Sequence, residues 1–201
     1  MRIAVSGTAS QGKTTFINDF IKRWPNYTTP DKTYRDIIGK KKKHSKRTTQ
    51  KLQWDILNFM VDQLQEYKDG DHVILDRCPL DNLVYSLWAH GKDKKGFEKE
   101  YIDKCIPVVR ESLRFLDIIF FTPITKVAPV RVESDDLRET NEDYIHEIDH
   151  LFKAISKSYY QATSPFFVKD DRPALIEIFG APKERIMMTS MYLNESGNVY
   201  D

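Results

Sequence analysis

The stretch Gly7-Thr-Ala-Ser10-Gln11-Gly12-Lys13-Thr14 decides the fold class of this chain. A glycine, four further residues and then Gly-Lys-Thr form the pattern of a phosphate-binding loop. The glycines let the backbone curl so that several N–H groups converge on one phosphate. Lys13 can reach the terminal phosphates, and the Thr14 hydroxyl can bind Mg²⁺. The residues predicted to bind a nucleotide here are Gly7, Ser10, Gln11, Gly12, Lys13, Thr14 and Thr15.

The segments on both sides of this loop have the order that such a loop needs. Residues 2–6 are a short β-branched run that predicts a buried strand. Residues 14–23 carry Phe16, Ile17, Phe20 and Ile21 at helical spacing and end before a proline. A strand, a glycine-rich turn and a helix in direct succession make a chance match of the loop pattern improbable.

The rest of the chain alternates between strand-like and helix-like patterns. Residues 28–38 are ambiguous and predict a short strand with a turn, and the segment after residue 189 has no recognisable pattern. The predicted helices cover residues 45–67, 79–90, 94–115 with an interruption near Pro107, and 142–160. The predicted further strands cover residues 72–76, 117–122 and 174–179.

This alternation predicts an α/β protein with the P-loop NTPase fold. We expect a parallel, doubly wound sheet of about five strands, flanked by helices on both faces. Residues 1–189 form the predicted domain, with a lid segment at about 125–142, and residues 190–201 form a C-terminal tail.

Composition limits the function classes. The chain has 201 residues, of which 30% are charged, and a net charge of +1. This length fits one globular domain. A net charge so close to zero does not indicate a general binder of polyanions. Cys78 and Cys105 are too few for a disulfide framework. No apolar run reaches the roughly 20 residues that span a bilayer. The strand pattern begins at once at the N-terminus and leaves no room for a signal peptide. We therefore expect a cytoplasmic protein.

Asp76 and Arg77 form the second motif, at the end of the apolar run His72–Asp76. A carboxylate there lies beside the phosphate loop and can hold Mg²⁺ through water or accept a proton from a hydroxyl. The alternative is an aspartate that caps the next helix. Motor-type ATPases carry a water-activating Glu where this chain has Arg77, and no Asn-Lys-x-Asp guanine-binding motif occurs. Both observations favour a kinase over a hydrolase.

The acidic segment Asp135-Asp136-Leu137-Arg138 supplies a candidate lid arginine. Kinases need a cation that closes over the transferring phosphoryl group and stabilises the charge of the transition state. Arg138 is the preferred candidate and Arg131 is the second. The alternative is an arginine that only pairs with the surrounding acids.

Together these segments resemble the nicotinamide-riboside-kinase-like P-loop kinases, from residue 2 to about residue 187. The resemblance includes the closing stretch Ile176-Glu-Ile-Phe-Gly180-Ala-Pro182-Lys-Glu-Arg185-Ile. It implies ATP and Mg²⁺ as cofactors and Arg138 as the lid arginine. It also implies that Gly180–Arg185, with Pro182, packs against the adenine. Within this group the chain is similar to phage-encoded kinases that phosphorylate 5-hydroxymethyluracil in DNA, which implies a phage protein in the host cytoplasm.

The basic run Lys40–Arg47 bears on the acceptor. It places six cations in eight residues, including Lys41, Lys43 and Arg47, and could neutralise the phosphates of DNA. Arg35, with Tyr34 and Trp54, could clamp or stack on a base. The alternatives are a solvated lysine loop and a core tryptophan.

Three functions therefore stay open. The first is a kinase of a hydroxymethylated pyrimidine in DNA, the second a kinase of a free nucleoside or nucleotide, and the third a nucleotide-binding regulator or ATPase. For either kinase we predict Lys13, Asp76, Arg77 and Arg138 as catalytic residues, with Asp76 as general base. Arg77 and Arg35 would orient the acceptor, and Asp36 is a secondary carboxylate candidate.

Overall fold

A computed structural model describes residues 1–38, 49–126 and 141–200 of the chain. The described residues form four parallel strands, seven α-helices and a short 3₁₀ helix at Leu113–Phe115. The strands are β1 (Arg2–Ser6), β2 (Val73–Asp76), β3 (Ile118–Phe121) and β4 (Ala174–Glu177). The helices are α1 (Lys13–Arg23), α2 (Tyr34–Ile38), α3 (Gln50–Glu66), α4 (Pro79–Gly91), α5 (Lys99–Ser112), α6 (Glu142–Ser158) and α7 (Pro182–Thr189).

The strand order is β2-β1-β3-β4, and each neighbouring pair is parallel. The first strand of the chain therefore lies inside the sheet. In its register Val5 is paired with Asp76 on one side and with Phe120 on the other. The carboxyl ends of three strands consequently meet beside the loop that follows β1, which is where doubly wound sheets bind ligands.

The described strands number four, against about five predicted. The position beyond β2 holds a single parallel bridge between Thr28 and Val73. Thr28 donates its backbone N–H to His72 and accepts one from Ile74. The next donor in a parallel ladder would be residue 30, which is a proline without an N–H group, so the pairing ends there.

Helices cover both faces of the sheet, because the strand side chains alternate between two apolar clusters. Ile3 and Val5 point into one cluster with α1 and part of α7, whereas Ala4 points into the larger cluster with α3, α4, α5 and α6. Strands buried on both faces are typical of a parallel sheet. No helix in the described ranges is both long enough and apolar enough to cross a membrane.

Three local predictions differ from the structure. Residues 34–38, within a segment predicted as strand and turn, form the short helix α2, and residues 182–189, for which no helix was predicted, form α7. Helix α5 continues through Pro107 instead of breaking there. Pro107 is exposed, so water can hydrogen-bond the carbonyl that lacks its helical donor.

The segment after α7 packs against the end of α1, although its sequence shows no pattern. Leu193 is 1% exposed in the cluster around Phe20. The Trp24 indole N–H donates to the Asn194 carbonyl at 2.9 Å, and the Tyr27 hydroxyl donates to the Gly197 carbonyl at 2.6 Å. This terminal turn therefore completes one face of the core.

Leu193→Ala is expected to lower the free energy of unfolding by about 2–4 kcal/mol, because it leaves a cavity beside α1. Urea denaturation followed by circular dichroism measures this loss. Met191→Ala is the matched control, since Met191 is 73% exposed and its replacement should change stability by about 0.5 kcal/mol or less. Equal stability losses in both variants would mean that Leu193 is not part of the core.

Candidate active site

The phosphate-binding loop connects β1 to α1 and has three residues with left-handed backbone. Gly7, Ser10 and Gly12 have φ angles of 143°, 60° and 67°. Gly12 immediately precedes the first turn of α1, which contains no acidic residue and leaves Thr14 and Thr15 exposed. A helix N-terminus with free N–H groups and no competing carboxylate attracts an anion.

Gly7 is fixed by the close approach of β3. A Cβ atom at Gly7 would lie 2.4 Å from the Thr122 Oγ1 atom and 2.9 Å from the Thr122 carbonyl oxygen. Thr122 cannot move away easily, because it is buried and hydrogen-bonds Ser6 through both its backbone and its side chain. The sequence pattern required a glycine here, and the structure gives the reason.

Gly7→Ala is expected to lower stability by about 2–4 kcal/mol, since the added methyl group clashes with backbone and the φ angle is strained for alanine. Nucleotide affinity should fall with it, because the loop must shift. Thermal unfolding with and without ADP–Mg²⁺ measures both effects. Gly91→Ala, where a Cβ atom meets nothing within 4 Å, is the control. A Gly7→Ala protein with normal stability and normal nucleotide affinity would contradict this interpretation.

Lys13 turns back over the loop. Its ammonium donates to the carbonyl oxygens of Gly7 at 2.9 Å and Thr8 at 2.5 Å. Burial and the nearby Arg77 lower the pKa of Lys13 to about 7, and the carboxylates of Asp76 and Asp81 only partly offset them. Lys13 is thus a desolvated cation whose charged form an incoming phosphate would stabilise.

Nucleotide binding should therefore be linked to proton uptake. Above pH 7 the ammonium of the free protein is increasingly deprotonated, and bound phosphates favour its protonated form. The affinity for ADP should consequently fall as the pH rises above 7, by up to about tenfold per pH unit. Calorimetry in two buffers with different ionisation enthalpies measures the proton uptake. Lys13→Met should abolish the part of it that Lys13 contributes, and equal uptake in both proteins would contradict the assignment.

Buried polar atoms without partners mark the inside of the site. Among the described residues, the Ser10 hydroxyl, the Gln11 side-chain oxygen and the Asp76 Oδ1 atom have no hydrogen-bond partner. Buried groups of this kind indicate a missing ligand or water. Together with Lys13 and the start of α1, they fit a nucleoside triphosphate and a hard cation such as Mg²⁺.

Asp76 lies at the end of β2, where register places it beside the loop. Its side chain is 15% exposed, and its Oδ2 atom accepts a hydrogen bond of 3.4 Å from Arg35. Arg35 also donates to the Tyr34 hydroxyl at 3.3 Å and is itself 61% exposed. Asp76 and Arg35, both predicted for the site, are therefore in contact. Asp36 accepts from the backbone N–H of Thr33 in a turn at the start of α2.

Arg77 is buried and has a left-handed backbone, with φ 79°. Its guanidinium donates to the Gly7 carbonyl at 3.1 Å, to Asp81 at 3.0 Å and to the Tyr34 hydroxyl at 3.1 Å. It also lies against the rings of Tyr34 and Tyr85. Arg77 is thus held by the phosphate loop, α2 and α4 together.

Asp81 was missed by the sequence reasoning. It is 1% exposed and lies at the start of α4, with its carboxylate directed at the loop. One signal was available: Asp81 is the one acid in the largely apolar stretch Pro79–Trp88. An acid among core positions of a helix is almost never buried without a partner.

The stretch Gly180–Arg185 is a turn followed by the start of α7. Pro182 is exposed and is the first residue of α7, so its predicted contact with the adenine stays a prediction. Arg185 is 4% exposed and donates to the carbonyls of Gln11 and Gly180. Burial lowers the pKa of Arg185. This segment therefore supports the phosphate loop from the side of α7.

Several predicted residues lie outside the described ranges. They are the lid candidates Arg131 and Arg138 and the basic residues Lys41, Lys43 and Arg47. Trp54 is described, and it packs on the core: the Lys104 ammonium lies 3.8 Å from its ring centroid and the Tyr101 ring meets it edge-on. One face of the ring is therefore covered by Lys104.

Comparisons with known proteins agree with this fold. A family model described as an AAA domain matches residues 2–164. No curated protein matches the chain. The structure of deoxyadenosine kinase from M. mycoides, with products dCMP and dCDP, has a TM-score of 0.61 at 16% identity, covering 94% of both chains.

Two other solved structures have similar folds. Thymidylate kinase from Candida albicans gives a TM-score of 0.61 at 13% identity, covering 94% of this chain and 88% of that one. NadR protein in complex with NR gives 0.66 at 14% identity, and there this chain spans 52% of the matched chain. At these identities the similarity establishes the P-loop α/β fold.

Proposed function

The chain belongs to the AAA domain family, and from that premise we propose that it is a kinase that transfers the γ-phosphoryl group of ATP to a hydroxyl of a nucleoside unit. The observation that carries the proposal is the unpaired, buried Oδ1 atom of Asp76 beside the phosphate loop. A general base needs such an oxygen within reach of the acceptor hydroxyl. Arg35 fixes the other oxygen of the same carboxylate.

The roles of the remaining residues follow from their positions. Lys13 and the N–H groups of the loop would hold the β- and γ-phosphates, and Thr14 would hold Mg²⁺, which Asp76 would contact only through water. The bound metal ion would neutralise charge on the phosphates. Arg35 would orient the acceptor. Arg138 is the proposed lid arginine on sequence grounds alone.

Two observations support a kinase over a hydrolase. The position after Asp76 holds Arg77, a cation, where a hydrolase would need a carboxylate to activate water. The nearest carboxylate on α4, Asp81, is already engaged by several donors. The similarity to deoxyadenosine kinase and thymidylate kinase supports a nucleoside or nucleotide acceptor.

The finer proposal is that the acceptor is 5-hydroxymethyluracil in DNA. It rests on the sequence resemblance and on the charge of Lys40–Arg47. A free nucleoside or a nucleoside monophosphate is the alternative acceptor. The two differ in what the basic run does: replacing Lys40–Lys43 with glutamine should weaken phosphorylation of DNA strongly and of a small acceptor little.

Transfer of labelled γ-phosphate tests the proposal. The acceptor panel contains free nucleosides, nucleoside monophosphates, and duplex DNA with and without hydroxymethyluracil, each with wild type and Lys13→Met. Label on an acceptor that is lost with Lys13→Met is the expected result, and the labelled member identifies the substrate class. Steady ATP hydrolysis with label on no acceptor would overturn the kinase assignment and leave a nucleotide-binding ATPase.

A further inference from the structure

Asp81 joins three elements through one buried carboxylate. Its Oδ2 atom accepts hydrogen bonds from the Ser6 hydroxyl at 2.6 Å and the Cys78 backbone N–H at 3.1 Å. Its Oδ1 atom accepts from the Gly7 backbone N–H at 3.3 Å and from Arg77 at 3.0 Å. These donors come from the end of β1, the start of the phosphate loop, and the turn between β2 and α4.

Arg77 extends this network to the other side of the site. The same guanidinium nitrogen that contacts Asp81 also donates to the Gly7 carbonyl, so Gly7 is held at both its N–H and its carbonyl group. The Nε atom of Arg77 donates to the Tyr34 hydroxyl on α2. Tyr34 in turn contacts Arg35, which holds Asp76. A continuous chain of contacts thus runs from the loop to the proposed base.

We propose that Asp81 is a positioning residue: it anchors Arg77 against Gly7 and so couples the phosphate-binding loop to α2 on the acceptor side. Asp81 is 1% exposed with both carboxylate oxygens bonded by protein donors, so it would act through Arg77 and Gly7 and not by touching a ligand. The coupling to the acceptor rests on the function proposed above, whereas the effect on the loop does not.

The chemistry of the position requires a carboxylate. Asp81 accepts four hydrogen bonds from N–H and O–H donors, besides a longer one from the Cys78 thiol at 3.8 Å, and one of its donors is a buried cation. A carboxylate has acceptor sites for all four donors, whereas an amide has one oxygen and presents N–H donors at the other position. The Asp81→Asn side chain would therefore have the size but not the acceptors, and the Arg77 charge would lose its counter-ion.

The backbone of Arg77 supports the same interpretation. A non-glycine residue with a φ of 79° is strained. Such a conformation persists only where several surrounding contacts hold the residue in it. The surroundings here are the pair with Asp81, the Gly7 carbonyl and the rings of Tyr34 and Tyr85. These contacts, including the one with Asp81, therefore hold Arg77 in a strained backbone conformation.

Direct binding of the fluorescent nucleotide N-methylanthraniloyl-ADP with Mg²⁺ tests the inference without any acceptor. D81N is expected to raise the Kd at least about tenfold. R77K keeps a counter-ion for Asp81 but cannot make all three side-chain contacts, and it should also raise the Kd about tenfold. R77Q is expected to raise the Kd about as much as D81N does. The double variant D81N/R77Q should bind no worse than the weaker-binding single variant, because both changes break the same contact between Asp81 and Arg77.

D149N is the matched control. Asp149 is another buried aspartate that forms an i,i+4 ion pair, with Lys153, and accepts a backbone N–H, but its described contacts are with Lys153 and Ile124 and not with the phosphate loop. It should lose thermal stability without losing nucleotide affinity. Once an acceptor is known, D81N and R77K should lower kcat as well as raise the nucleotide KM, since the linkage reaches Asp76.

The outcomes separate the two proposals. Wild-type protein that does not bind the nucleotide would overturn the proposed function. If wild type binds the nucleotide and folded D81N has the same Kd, the role of Asp81 is overturned and the proposed function stands. The same holds if the losses of nucleotide affinity in D81N and R77Q multiply in the double variant. If D81N does not fold, R77K decides, and a wild-type Kd there would overturn the inference.

Discussion

Lys13→Met should lower the rate of phosphoryl transfer by at least about 10²-fold while the protein stays as stable as wild type or becomes more stable. The rate falls because a preorganised cation that stabilises charge on the transferring phosphoryl group is lost. The stability does not fall, because Lys13 is buried, carries a pKa lowered to about 7, and has no ion-pair partner in the described part of the chain. Methionine retains the length of the side chain without its desolvation cost.

Kinetics with saturating ATP and thermal unfolding of the same samples measure these two effects. Lys22→Met on the same helix is the control, since Lys22 is 77% exposed and its ion pair in the described part of the chain is with Asp19. It should change neither quantity appreciably. A Lys13→Met protein that unfolds more easily than wild type would show that the lysine is a structural residue of the loop.

Asp76→Asn should lower kcat by about 10²–10⁴-fold with little change in the stability of the fold. The amide cannot accept the proton of the acceptor hydroxyl, so general-base assistance is lost. Asparagine preserves the size of the side chain and can still accept a hydrogen bond from Arg35. The loss should therefore appear in turnover more than in acceptor KM.

Single-turnover phosphorylation of the acceptor measures this effect separately from product release. Asp69→Asn serves as the control, because the Asp69 side chain is 94% exposed at the end of the sheet opposite the loop. If Asp76→Asn retains its rate and Asp36→Asn loses it, the base is Asp36. If both retain it, neither carboxylate is the general base.

The parts of the fold that local patterns encode could be predicted from the sequence. The phosphate loop, the buried strands before and after it, and Asp76 at a strand end each follow from a short run of residues. Their contact also follows, because parallel strands present their carboxyl ends at one edge of the sheet. The sheet was thus predicted correctly except at its edge, where Pro30 limits pairing to one residue.

The parts that depend on distant contacts could not be predicted. Asp81 was missed because its donors lie at Ser6, Gly7 and Arg77, and no spacing within α4 indicates them. Arg77 was identified as a site residue, but its orientation towards Gly7 and Tyr34 follows only from the folded positions of three elements. The packing of the terminal turn likewise depends on hydrogen bonds from Trp24 and Tyr27, which are far away in sequence.

The central position of β1 has a consequence for biosynthesis. Its partner strands and Thr122, which closes on Gly7, are added to the nascent chain long after the loop has left the ribosome. At common translation speeds, roughly ten seconds separate Gly7 from Thr122. During that time β1 has at most β2 to pair with, so its other edge stays unpaired and is a binding site for chaperones. Nascent chains stalled before β3 should therefore bind no nucleotide, which makes nucleotide capture a reporter of when this domain completes its folding on the ribosome.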